Sequence, residues 1–546
     1  MKLIIVGGVA GGASAAARAR RLSEDSQIVL FERGPDVSFA NCGLPYFIGG
    51  EIVERNKLLV TTPEQLRSRF KLDVRTRSSV ESIDRTAKKV RVRDLATGRE
   101  YEEQYDKLIL APGAAPFRPA IPGNDLPGVF TLRNLDDTDR IKALVDRGVR
   151  HAVILGGGFI GLELAESFVR RGISTTVVEK NDQILTPFDR EMATPINDEL
   201  AAKGVRLLLN QTAQAIEQVA DGLVVRLQSG ERLPAELVIL GVGVRPENKL
   251  ALDAGLAVGP RGGIQVNEHL QTSDPDIYAV GDVIEVNDFV LAMPTQVPLA
   301  GPANRQGRIA ANHIFGSQSR YRGTQGTAIV RVFDRTAAMT GASEKLLRRA
   351  KRAYRKVYLH PNQHAGYYPG AQAMTLKLIF DPANGKVLGA QAVGGEGVDK
   401  RIDVLAVAIQ AGMTVFDLEE MELAYAPQYG SAKDPVNMAG FVAAGMLRGE
   451  HPQVDVEELM AASVSDRPFL VDVRTPQEFA AGHIPGAVNI SVDDLRTRLS
   501  DLPRDREVVT YCQVGQRGYL ATRILLQSGF KAVNIGGGYK TYKLFF

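Results

Sequence analysis

Two glycine-rich turns, each set between an apolar run of β-formers and a helix of small residues, constrain this chain more than any other feature. The stretch "HAVILGGGFIGLELAESFVRRGISTTVVEK" (151–180) carries Gly156, Gly158 and Gly161 at G-x-G-x-x-G spacing, and the strand that follows ends in Glu179. That spacing needs glycine at a tight turn, where backbone meets a pyrophosphate, and where helix meets strand. It sets a phosphate on the N-terminus of a helix opened by Phe159 and Ile160. The Glu179 carboxylate is read as accepting from a ribose 2′-hydroxyl and repelling a 2′-phosphate, which favours NADH, while Lys180 and Lys203 leave room for NADPH. The N-terminal "KLIIVGGVAGGASAAARARRL" followed by "SQIVLFER" repeats the plan less strictly. Gly7 and Gly12 hold the first and third positions, Val9 stands at the second between Gly8 and Ala10, and the second strand runs out at Glu32 and Arg33. Two such units in one chain point to two dinucleotides with electrons passing between them.

At 546 residues the chain is too long for one hydrophobic core and reads as about three or four domains. Its 66 Lys+Arg against 63 Asp+Glu leave a net charge of +3 without a basic block, so no nucleic-acid partner is expected. The N-terminus looks superficially like a signal peptide, but its glycines fall where a phosphate-binding turn needs them. No apolar run reaches the ~18–20 residues that span a bilayer, so no membrane partner is expected. The two cysteines, Cys42 and Cys512, make no disulfide framework and fit a reducing compartment, read as the cytoplasm. His360 and His364 in "HPNQH" have no metal-ligand companions and are read as surface residues, with no metal site expected.

Two further segments extend the pattern. "YDKLILAPGAAPFRPAIPG" (105–123) is a strand entering a Gly/Pro crossover, and "TSDPDIYAVGDVIEV" (272–286) is a strand delivering Gly281 and Asp282. With the two glycine turns, they resemble the motifs of the two-dinucleotide flavoprotein disulfide reductases. The resemblance implies FAD in a discontinuous domain and NADH in a domain inserted into it. Asp282 then contacts the flavin ribityl chain, and Gly7, Gly8, Ala10, Gly12, Glu32, Arg33, Val80, Ala111, Arg133, Gly281 and Ala300 complete the FAD site. Gly156, Gly158, Phe159, Ile160, Gly161, Glu179 and Gly243 would hold NADH.

Most such reductases carry C-x4-C after the first βαβ unit, whereas here "SFANCGLPY" (38–46) offers Cys42 alone. A single thiol cannot store two electrons as an internal disulfide, so it must hold them with an outside partner, as a mixed disulfide, a persulfide or a sulfenic acid. Asn41, Gly43 and Pro45 around it form a tight turn that argues against a merely buried cysteine. "SFANCGLPY", "GYYPG" (366–370) and "LAYAPQYGSAKDPVN" (423–437) resemble the coenzyme A disulfide reductases over residues 1 to 445. That resemblance implies a mixed disulfide between Cys42 and CoA, with Arg18, Arg21, Ser38, Asn41 and Lys71 contacting CoA. It also implies a homodimer, since Tyr367 and Tyr425 match a pair contributed by the other subunit.

Beyond "GMLRGEHPQVDVEEL" the pattern becomes a compact α/β unit. "FLVDVRTPQEFAAGHIPGAVNI" gives a strand, a short helix and a turn, and "REVVTYCQVGQRGYLATRILLQSGF" puts Cys512 at a strand end before a loop and a helix. This resembles a rhodanese domain. A thiolate ringed by backbone N–H groups at a helix N-terminus can carry a terminal sulfur as an anionic persulfide, and Arg517 adds a positive charge. The C-x4-R loop from Cys512 to Arg517 is sized for one sulfur, where related phosphatases use C-x5-R.

The expected fold class is α/β, with two Rossmann-like dinucleotide-binding domains, an α+β dimerisation domain and an α/β rhodanese domain. The expected boundaries are 1–110 and 248–322 for FAD, 111–247 for NADH with the crossover, 323–446 for dimerisation, a linker at 447–456, and 457–546 for the rhodanese. The expected activity is NADH- and FAD-dependent reduction of CoA persulfide, polysulfide or CoA disulfide through Cys42, releasing CoA thiol and hydrogen sulfide, with Cys512 handling sulfane sulfur from polysulfide or thiosulfate. An NADH oxidase or peroxidase cycling a cysteine sulfenic acid, and a redox-sensing flavoprotein with little turnover, are the alternatives.

Overall fold

The computed structural model describes residues 1–462 and 468–546, so 463–467 within the expected C-terminal domain lie outside the described residues. It resolves into two compact units, Met1–Ile184 with Lys203–Thr324, and Leu185–Ala202 with Gln325–Phe546.

The first unit holds two all-parallel five-stranded sheets. One runs in the order Ile277–Ala279, Lys107–Leu110, Lys2–Val6, Gln27–Phe31, Asp73–Arg75. The other runs Arg206–Leu208, Ser174–Val178, His151–Leu155, Leu237–Leu240, Val129–Phe130. Parallel strands are covered on both faces, which is why "LIIV", "IVLF" and "AVIL" are unbroken apolar runs and not alternations. A three-stranded antiparallel sheet accompanies each, Ser78–Asp84, Lys89–Asp94 and Glu100–Gln104 in one case, Ala213–Val219, Gly222–Leu227 and Arg232–Ala235 in the other.

The two glycine turns are fixed by the same crowding. Gly7 has φ +100° and a Cβ there would fall 2.1 Å from the Ala111 carbonyl oxygen, while Gly156 has φ +116° and its Cβ would fall 2.3 Å from that of Gly241. No side chain fits either position without moving backbone. The second motif position differs in kind. Val9 and Gly158 both cap their helices with extended backbone, at φ −99° and −83°, so valine enters the N-terminal turn without strain.

The second unit contains an antiparallel sheet, Ala328–Val332, Arg335–Gly341, Val387–Gly394, Thr375–Phe380, Arg355–Leu359, and a parallel one, Gln453–Val454, Ala532–Ile535, Val508–Tyr511, Phe469–Asp472, Val488–Asn489. At the centre of the antiparallel sheet Lys377, 0% exposed, donates to Asp189 at 2.8 Å and to Glu191 and Glu344 at 2.5 Å each. Burial alone would discharge this lysine, but the three carboxylates hold its pKa well above the ordinary value. These acids converge as a metal site would, and the ammonium occupies their centre. Removing it would strand buried carboxylates at a cost of about 3–5 kcal/mol.

The same cluster reaches the C-terminal domain. Lys356 bridges Glu344 at 2.9 Å and Glu457 at 2.5 Å, and Thr194 on the helix Arg190–Ala202 donates to the Leu544 carbonyl at 2.9 Å. Two expectations are corrected here. His360 and His364 are buried: His360 meets Thr375 at 3.0 Å and Thr541 at 2.8 Å, and His364 packs edge-on against Tyr368. Burial, with Lys540 nearby, pushes His360 down to about 3, so it is a neutral hydrogen-bonding link between the strand Thr375–Phe380 and the helix Gly538–Phe545. Residues 447–456, expected as a linker, are partly built into the C-terminal sheet, where Gln453–Val454 pairs with Ala532–Ile535 and buried His451 packs on Tyr519. Polar composition concealed this because the pairing partner, Ala532–Ile535, lies about 80 residues further along the chain. Among the described residues no helix is long and apolar enough to cross a membrane.

Candidate active sites

Cys42 lies in the 3-10 turn Asn41–Gly43 and is exposed. The turn leads into the helix Leu44–Gly49, which rests on the helix Phe159–Arg170 of the second glycine motif: Ser167 donates to the Pro45 carbonyl at 2.9 Å and the Tyr46 hydroxyl to Glu163 at 3.1 Å. Partial desolvation of the thiol, together with the carboxylates of Glu163 and Asp282, pushes its pKa up. Burial raises Glu163 itself to about 7 against the hydrogen bond from Tyr46. Sequence reasoning missed Glu163; its signal was an acid placed in the apolar "FIGLELAESF" helix.

Both nucleotide cradles have donors and acceptors in place. Glu32 accepts from the Gly8 N–H at 2.8 Å and the Gly34 N–H at 2.7 Å, so its carboxylate is held at the strand end. Asp282 takes no hydrogen bond from any described residue, and burial pushes its pKa up, as fits a carboxylate left to meet a hydroxyl-bearing ligand. Arg33 and Arg133 converge on Glu247, at 3.1 Å and 2.8 Å, and Glu247 keeps Arg133 charged against the desolvation of its site. Glu247 was not singled out from the sequence. Ala111 closes the strand Lys107–Leu110 through its N–H to Val6, Val80 lies in the strand Ser78–Asp84, Gly281 donates to Gln306 at 2.8 Å, and Ala300 opens the helix Ala300–Ile314. In the second cradle Glu179 is buried and accepts from the Gly157 N–H at 2.8 Å and the Asn181 N–H at 2.9 Å. A Cβ on Gly158 would meet nothing within 4 Å, which leaves open space over the start of the helix formed by Phe159, Ile160 and Gly161, and Gly243 turns the chain at φ +109°. The residues present therefore fit two dinucleotides.

The expected CoA contacts Arg18 and Arg21 flank Arg20, which was not among them and is structural, donating to the carbonyls of Phe70, Ser23, Glu24 and Lys71. Arg18 instead donates to Asn312 at 2.7 Å, and loss of hydration with repulsion from Arg308 and Arg21 pushes its pKa down. None of Arg18, Arg21 and Arg308 has a carboxylate partner among the described residues, so the helices Ala10–Leu22 and Ala300–Ile314 present an uncompensated positive strip. Arg308 was legible only once the two helices were known to lie together. Lys71 sits at the left-handed end of the helix Pro63–Phe70, 4.0 Å from Glu24, and Ser38, at φ +50°, bonds its N–H to Gly8. Asn41 donates to the Arg133 carbonyl at 3.3 Å. In the second unit Tyr367 and Tyr425, 75% and 49% exposed, join hydroxyls at 2.9 Å. Rings of this area held in the open fit an interface more than a core.

Cys512 is 1% exposed, at the end of the strand Val508–Tyr511. The loop above it is pinned from behind: the Cys512 carbonyl accepts from the Tyr539 N–H at 2.8 Å and that of Gln513 from Lys540 at 2.9 Å. The N–H groups of Gln513, Val514 and Gly515 donate to no described residue, leaving a ring of donors before the helix Gln516–Gln527. Arg517 binds Glu478 in a fork, 2.7 Å at each end, with Cys512 as a further neighbour.

Such a pair of parallel-sheet cradles serving an accessible thiol, joined to a persulfide-type loop, defines a flavoprotein that moves electrons between a pyridine nucleotide and sulfur. Residues 1–307 match the pyridine nucleotide-disulphide oxidoreductase family, 327–434 its dimerisation domain and 455–544 the rhodanese-like domain. The chain belongs to the pyridine nucleotide-disulphide oxidoreductase family and carries a C-terminal rhodanese-like domain. It is similar to the coenzyme A disulfide reductase of Staphylococcus haemolyticus, 39% identical over 444 residues that span 81% of this chain and 99% of that protein. Reduced CoADR-RHD of Bacillus anthracis superposes with a TM-score of 0.97 at 49% identity, covering 100% of this chain and 98% of that one. An NAD-dependent persulfide reductase from A. fulgidus gives 0.92 at 37% identity, covering 99% and 100%.

Proposed function

We propose that this enzyme reduces CoA persulfide, and related polysulfide or CoA disulfide, with NADH, and that Cys512 handles the sulfane sulfur. The observation that carries the reading is the accessible, solitary thiol of Cys42, which has no cysteine in its own unit to pair with and so must form its disulfide with a substrate. FAD, when bound, supplies two-electron chemistry between NADH and that thiol. Glu32, Asp282 and Arg133 hold and orient it, and Gly156, Gly158 and Glu179 hold NADH, with the Glu179 carboxylate disfavouring a 2′-phosphate. The arginine strip of Arg18, Arg21 and Arg308, with Lys71, takes the phosphates of CoA. The sulfur of Cys42 forms a mixed disulfide with CoA, and overall CoA persulfide, NADH and a proton give CoA thiol, hydrogen sulfide and NAD⁺. Tyr367 and Tyr425 complete the site of the other subunit in a homodimer. A rhodanese loop has no part in simple disulfide reduction, which favours persulfide as the working substrate.

Intact-mass and peptide analysis of the purified protein tests this reading. CoA in disulfide linkage on Cys42, released by NADH, is the expected result. A sulfenic acid on Cys42 with rapid NADH consumption by oxygen alone would instead make the protein an oxidase.

A further inference from the structure

Two guanidinium groups lie beside the Cys512 loop, and each is paired with a carboxylate. Both terminal nitrogens of Arg517 lie on the Glu478 carboxylate, at 2.7 Å each. Glu478 is ionised, held by Arg517 and by the Thr475 N–H to a pKa of about 2, and it is fixed in a capping box at the start of the helix Pro476–Ala480. Arg474 is spent on Asp472, with Nε at 3.0 Å and Nη2 at 2.6 Å, on the Gly482 carbonyl at 2.7 Å and on Gln513 at 3.0 Å. The loop residues Gln513, Val514, Gly515 and Gln516 carry no charge. Lys540 lies within electrostatic reach of Arg335 and His360.

We propose that this loop selects a hydropersulfide as sulfur donor over thiosulfate, with Glu478 as the specificity-determining residue. The inference rests on the reading of Cys512 as a sulfur carrier. In either reaction the Cys512 thiolate attacks the sulfane sulfur, an Sγ–S bond forms, the donor's S–S bond breaks, and its electron pair leaves with the departing group. A hydropersulfide R–S–SH gives Cys512–S–SH and the thiolate R–S⁻, a single charge on a group that remains in the solvent. Thiosulfate gives Cys512–S–S⁻ and sulfite, so two negative charges must enter beside the thiolate and leave on a sulfonate-derived group that needs a cation. The backbone N–H ring serves the transferred sulfur alone, and the guanidinium beside Cys512 that a sulfonate would seek, Arg517, already has its charge balanced by Glu478.

The test uses the full FAD-loaded chain with thiosulfate and cysteine hydropersulfide as donors and cyanide as acceptor. Wild type is expected to favour the hydropersulfide at least tenfold in kcat/KM. In Glu478→Gln, which keeps the capping hydrogen bond, the thiosulfate-to-hydropersulfide ratio should rise at least tenfold, mostly through a lower KM for thiosulfate. Glu478→Asp, which keeps the charge, should retain the wild-type ratio. Equal use of both donors by wild type, an unchanged ratio in Glu478→Gln, or the same shift in Glu478→Asp would overturn the proposal. Peptide mapping separates this from the underlying reading: if neither donor adds one sulfur atom to Cys512, the carrier role itself fails.

Discussion

Cys42 and Cys512 are the chain's two thiols, and they are built on opposite plans. Cys42 is exposed, on a short turn, with two carboxylates opposing its ionisation; Cys512 is sealed at a strand end beneath N–H groups that donate to no described residue. The difference follows from the size of what each must meet. A mixed disulfide with a bulky thiol needs a sulfur that can be approached from solvent, whereas a persulfide needs room for one atom and donors to hold its charge. On the proposed function, one chain separates a redox thiol from a carrier thiol by geometry, with no change in the nucleophile.

The sharpest way to break this comparison is to delete each sulfur in turn. Cys42→Ser should cut NADH-dependent reduction of CoA persulfide and CoA disulfide by at least about a thousandfold while FAD stays bound and sulfurtransferase activity persists. Cys512→Ser should do the reverse, losing sulfur transfer but reducing preformed CoA persulfide at nearly the wild-type rate. Absorbance of NADH and a cyanide-acceptor assay on folded, flavin-loaded protein read the two activities. Equal loss of both in either variant would mean that the thiols act in one step.

The two sites were unequally legible in the sequence. Glycine spacing carries the nucleotide turns because only glycine survives 2.1 Å and 2.3 Å from a carbonyl oxygen at Gly7 and Gly156. The C-x4-R loop likewise announces itself, since its residues are contiguous. What failed was whatever depends on distant segments meeting. His360 reads as surface because it lies in the polar run "HPNQH", yet Thr541, from the far end of the chain, buries it. Glu478 carries no signal of its own until Arg517 is seen folded onto it, and Arg308 none until two helices place it beside Arg18. A linker that is in part an edge strand shows the same limit: pairing with Ala532–Ile535 is a non-local fact.

A smaller effect tests whether Cys42 alone depends on the nicotinamide. Glu179→Ser removes a carboxylate that a 2′-phosphate would have to approach, and should raise the NADPH-to-NADH ratio of kcat/KM in the reductase assay about tenfold. Sulfur transfer at Cys512 should not respond to either nucleotide. Strong NADPH preference in wild type would show that Glu179 does not face the ribose.

The smallest effect concerns the charge that sets Cys42 apart. Glu163 titrates at about 7, so it is neutral below that pH and ionised above it. Its negative charge adds to burial in pushing the Cys42 thiol up. As pH rises through 7 the wild-type protein therefore acquires a charge that opposes thiolate formation, and Cys42 ionises later than it otherwise would. Glu163→Gln keeps the acceptor for the Tyr46 hydroxyl but removes the charge. The half-point of iodoacetamide alkylation at Cys42 should move to lower pH by roughly one unit or less, consistent with one of two carboxylates being lost. Below about pH 6, where Glu163 is already protonated, the two proteins should react alike, and Cys512 should give the same profile in both. A half-point at Cys42 that stays fixed, or that moves together with the one at Cys512, would show that the carboxylates do not distinguish the two thiols and would leave accessibility as the whole of the difference between them.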